Sequence, residues 1–105
     1  MQAYKRLYGE ERLEIEDLFD SKIDHLVELA YYKIKNVKEA TKQYAVEIVK
    51  TEYLENKLKV ESEKANLFTD NETKANNILE ILKKNKVTPM GLKETMIEIA
   101  KRETI

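Results

Sequence analysis

Residues 10–88 contain neither glycine nor proline, and no other feature constrains the chain so much. Glycine and proline punctuate turns, bulges and phosphate-cradling loops, so their loss argues for long helices. The reading that follows is an all-α fold: a small helical bundle of two long helices followed by two short ones, with a coiled-coil-like contact. A glycine-free stretch of this length also lacks the loops that bring backbone close to a nucleotide or cofactor.

A chain of 105 residues is expected to form one domain spanning 1–105, with 1–9 as a flexible or loosely docked N-terminus. Charged residues make up 37% of it, well above the usual quarter, which suits helices with wide solvated faces. The formal charge of −1 points neither to a strongly basic nucleic-acid binder nor to an acidic mimic. Without cysteine there is no disulfide framework or thiolate metal site, and a cytoplasmic, membrane-free protein is expected.

On a helical wheel Ile15, Leu18, Phe19, Ile23, Leu26, Leu29, Ala30, Ile34 and Val37 fall on one half, predicting an amphipathic helix over 11–36. Past Asn36 the apolar phase moves, which places a turn at 36–41 and a second helix running to about Phe68. That helix carries two apolar stripes, one through Val46, Val49, Tyr53, Val60 and Leu67, the other through Tyr44, Ile48, Leu54, Leu58, Ala65 and Phe68. Thr69 with Glu72 has the form of a capping box and starts a third helix with Ala75, Ile78, Leu79 and Leu82 inward. Asn85 and Lys86 interrupt it. Thr88 and Pro89 then start a last helix, capped by the Thr88 oxygen, with Leu92, Met96, Ile99 and Ala100 buried.

Candidate chemistry is sparse. The single histidine, His25, has no Glu three residues before it, so the helical di-iron pattern is missing, and it reads as packing at the edge of an apolar face. No catalytic residue, metal ligand or cofactor is expected, nor a small-molecule substrate. Tyr31 and Tyr32 point to opposite margins, so at least one is a surface candidate.

The segment 75–100, a helix ending in Ile78 to Asn85, then Val87, Thr88, Pro89 and a new helix with Leu92, resembles the opening two helices of a winged helix-turn-helix domain. In that family a third helix enters the DNA major groove; the resemblance covers about a quarter of the chain and leaves no room for that helix or a wing. It implies a nucleic-acid contact through the hairpin 72–102. Residues 71–105 hold seven basic and five acidic side chains, a net of +2, and Lys83, Lys84, Lys86, Lys93, Lys101 and Arg102 would form its phosphate-facing edge.

The favoured function is a non-enzymatic protein-interaction module, an adaptor, regulator or inhibitor of a larger assembly, self-associating as a homodimer. Its physical basis is surplus apolar surface on the second helix, which two short helices cannot cover. The expected interface is Tyr53, Leu54, Leu58, Val60 and Leu67, with Asp17, Asp20, Asp24 and Glu28 on the acidic side of the first helix as a second surface. Nucleic-acid binding through the C-terminal lysines is the alternative.

Overall fold

The computed structural model describes residues 2–13, 25–38, 41–67 and 69–103. It holds four strands, β1 (Gln2–Arg12), β2 (Val27–Lys38), β3 (Thr41–Leu54) and β4 (Lys57–Asn66), then α1 (Glu72–Lys84), a 3-10 turn (Pro89–Gly91) and α2 (Leu92–Glu103). The strands form one antiparallel sheet in the order β1-β2-β3-β4, each paired to its neighbour in sequence. Both helices pack on one face, where Leu29, Tyr31, Val46 and Ile48 meet Ile78, Leu79, Leu82, Leu92 and Ile99 in the core.

The all-α helical bundle is therefore wrong, and with it the coiled-coil contact. The end of the first expected helix forms β2, and nearly the whole of the second forms β3 and β4. Val27, Leu29 and Tyr31 of β2 and Tyr44, Val46 and Ile48 of β3 recur at every second position, the strand period, and most are β-branched or aromatic. That alternation is blurred because Ile34 and Ala45, on the opposite face, are also buried. A stripe with apolar residues on both strand faces can be fitted to a helix, as the wheel over Leu29, Ala30 and Ile34 was. The part of that helix formed by 14–24, with Ile15, Leu18, Phe19 and Ile23, lies outside the described residues, as does Phe68.

Lack of glycine did not forbid hairpins. The β3–β4 hairpin closes over Glu55 and Asn56, and neither takes a positive φ. A turn of that kind has no need of glycine. On β1, the segment read as a loosely docked N-terminus pairs with β2, and the register shifts between Leu7 and Gly9. Tyr8 is the extra residue of this bulge and donates a 2.7 Å hydrogen bond to Glu80 of α1. Gly9 leaves room for the Lys83 stem, which a Cβ there would meet at 2.7 Å, on its way to Glu11.

The C-terminal helices follow the sequence more closely. The N-cap of α1 is Asn71 rather than the Thr69 of the expected capping box: the Asn71 side chain accepts from the Lys74 N–H at 3.1 Å, while the Thr69 hydroxyl accepts from the Asn71 N–H. Ala75, Ile78, Leu79 and Leu82 are its buried residues. At the other end Val87 N–H donates to Leu82 and Lys86 N–H to Lys83, the paired bonds of a Schellman motif. Its left-handed position, φ 50°, is held by Lys86 where glycine is usual. Lys86→Gly is thus expected to raise stability by about 1 kcal/mol, read as an upward shift of the urea midpoint at unchanged slope. Thr88 makes no side-chain cap bond, contrary to expectation, and Ala100 is exposed rather than inward.

Candidate interaction surface and cleft

The helix-free face of the sheet carries an open apolar patch. Tyr53 of β3 stands opposite Leu58 of β4, and Thr51 opposite Val60. Leu26, whose carbonyl accepts from the Tyr53 N–H, extends the Tyr53–Leu58 row. Leu26 and Tyr53 are 40% exposed, Val60 59% and Leu58 61%, far more than packing alone would leave. Of the five apolar residues expected at an interface, Tyr53, Leu58 and Val60 are brought together here. Leu54 is half-buried at the end of β3, and Leu67 packs against the core. Further across the same face the Lys5 ammonium pairs with the buried Glu47 carboxylate and lies 4.4 Å from the centre of the Tyr32 ring. Tyr31 and Tyr32 do face opposite sides, Tyr31 inward and Tyr32 beneath Lys5.

β4 is the last strand of the sheet, so its outer edge has no strand partner among the described residues. On the face away from the apolar patch its charges fall into two blocks, Lys57 and Lys59 followed by Glu61 and Glu63. Lys59 lies 3.5 Å from Glu61 and 3.9 Å from Glu52. Glu52 in turn meets His25 Nε2 at 3.0 Å, and this hydrogen bond, with Lys50 and Lys59 nearby, holds its carboxyl below the usual range. His25 is thereby a half-buried structural partner, in line with the packing role read from sequence.

The remaining expected site residues are dispersed. Asp17, Asp20 and Asp24 lie outside the described residues. Glu28 sits on β2 beside a 430 Å³ recess with Glu10, Glu11, Arg12 and Lys86. Among the lysines proposed for nucleic acid, Lys83 is drawn back to Glu11 at 3.2 Å and Lys86 lines that largely acidic recess, while Lys101 lies 3.8 Å from Glu98. Lys84, Lys93 and Arg102 are exposed on the two helices.

A second concavity, of about 540 Å³, lies on the helix-bearing face beyond the start of α1. Its floor follows two rows in register across the sheet: Tyr4, Lys35 and Tyr44, then Arg6 and Lys33. Glu72, at the start of α1, forms the wall with Val37 at the far end. Lys33 donates to Glu72 at 2.8 Å and to Asn76 at 2.9 Å, and the bond to Glu72, with the field of Lys35 and Arg6, lowers the Glu72 pKa. The grouping escaped sequence reading because its members come from three strands and α1. The traces available were the alternations Tyr4-x-Arg6 and Lys33-x-Lys35-x-Val37.

Among the described residues no group of three or more histidine, aspartate or glutamate side chains is placed to hold a metal ion, and no helix is long and apolar enough to cross a membrane. A model of the family of unknown function DUF6514 matches residues 10–101, and the chain belongs to that family. Neither a curated protein nor a solved structure matches the chain.

Proposed function

We propose that this member of the family is a non-enzymatic interaction module that self-associates, two copies pairing antiparallel along the outer edge of β4. In this proposal it works in the cytoplasm. The observation that carries the reading is the self-complementary edge. With Val60 on the two-fold axis, Lys59 of each copy faces Glu61 of the other and Lys57 faces Glu63, while Val60 meets Val60 and Leu58 meets Ser62. Slipping the register by two residues, to centre on Glu61, would set two carboxylates face to face, so the charges favour one alignment. The pairing would fill the open edge of the sheet and join the two Tyr53–Leu58–Val60 patches into one continuous apolar strip. A larger partner that offers an extended strand would use the same edge.

Sedimentation of the purified protein tests this reading. The expected result is a concentration-dependent dimer in the wild type. Lys59→Glu, which sets two carboxylates against each other where a lysine now faces Glu61 of the other copy, is expected to weaken it at least tenfold. Adding Glu61→Lys to that variant exchanges the signs and is expected to restore it, with circular dichroism unchanged throughout. A monomer at every concentration, or a dimer indifferent to both variants, overturns the assignment.

A further inference from the structure

We infer that the concavity floored by Tyr4, Arg6, Lys33, Lys35 and Tyr44 binds a free mononucleotide, its phosphate on Arg6 and Lys35 and its planar base against the Tyr4 ring. The site lies on the opposite face of the sheet from the proposed patch and is independent of it.

Charge is the first support. Three cations line the cleft against one carboxylate, and that carboxylate is already taken: Lys33 holds Glu72 at 2.8 Å. Arg6 and Lys35 act on Glu72 only through space and make no hydrogen bond or ion pair among the described residues. They stand on adjacent strands, diagonally related on one face, a separation of about 7–8 Å between backbones that lets both side chains close on one tetrahedral anion. A guanidinium offers a planar two-donor fork to phosphate oxygens and an ammonium adds a point charge, so the pair has complementary roles.

Shape and apolar surface are the second. Lys35 is flanked in register by Tyr4 and Tyr44. Tyr44 is 5% exposed and forms the closed end of the row, while Tyr4, also in the lining, is 58% exposed. A base stacked on such a ring gains affinity without needing sequence-specific hydrogen bonds. The volume of about 540 Å³ lies in the range of small-ligand sites, roughly 300–1,000 Å³. A bare phosphate would leave most of it empty, and an uncharged nucleoside would leave Arg6 and Lys35 unmatched.

Calorimetric titration with inorganic phosphate, adenosine and the four ribonucleoside 5′-monophosphates, at low ionic strength, tests this directly. At least one monophosphate is expected to bind ten or more times tighter than phosphate and than adenosine. The Arg6→Gln/Lys35→Gln variant is expected to lose at least tenfold of that affinity while keeping its melting temperature and its state of association. Tyr4→Ala should reduce nucleotide binding and leave phosphate binding alone. No saturable nucleotide binding, equal affinity for phosphate and nucleotide, or full affinity in the double variant would each overturn the inference. Failure of the β4 charge-exchange experiment would leave this one untouched, because none of its residues lies on that edge.

Discussion

Leu79→Ala is expected to lower unfolding stability by about 3 kcal/mol, with a fall in melting temperature of about 12 °C or more. Leu79 is fully buried on the inward face of α1 and belongs to the cluster with Leu29, Tyr31, Val46 and Ile48 of the sheet. Alanine there removes three heavy atoms from contact and leaves a cavity. Strand residues on one side and helix residues on the other cannot close that cavity without shifting a whole element. The control is Ile97→Ala on α2, where the side chain is 55% exposed and the expected change is within about 0.5 kcal/mol. Equal losses at both positions, measured by urea unfolding, would contradict the packing of the helices on the sheet.

Tyr31 is the second position of large effect. It is the largest of the fully buried side chains, and its hydroxyl donates to the Val87 carbonyl at 2.9 Å, tying β2 to the connection between the helices. Tyr31→Phe keeps the ring and strands the carbonyl, a loss of about 1–2 kcal/mol; Tyr31→Ala also empties the core, for about 4 kcal/mol in all. Chemical denaturation of the two variants separates these contributions. Burial, and secondarily Glu11, raises the hydroxyl pKa above 10. The folded state therefore disfavours the tyrosinate, and stability intact below pH 10 is lost as the pH rises beyond it.

Different parts of the molecule were legible to different degrees. The inward face of α1 was read residue for residue, because one exposed face and one buried face give a clean helical period and the boundary residues Thr69, Asn71 and Asn85 carry local signals. The sheet was not read, because β2 and β3 bury residues on both faces and their hairpin partners are set by register, which no single stretch displays. Tyr53, Leu58 and Val60 were singled out as surplus apolar surface, and they remain surplus on the sheet although the helix assigned to them is absent. Arg6, Lys33 and Lys35 were not among the expected site residues. Only pairing of β1 with β2 places them side by side.

The strands are wired in series, and that order has a kinetic meaning. Every strand pair closes between neighbours in sequence, and β2 and β3, like β3 and β4, are separated by only two residues, so those pairs form at small entropic cost. The ties from β1 to α1, Tyr8 to Glu80 and Glu11 to Lys83, each span 72 residues. They join the first strand to an element far along the chain, so they are the long-range step that follows local pairing of the strands, and they cost more loop-closure entropy than any hairpin of the sheet.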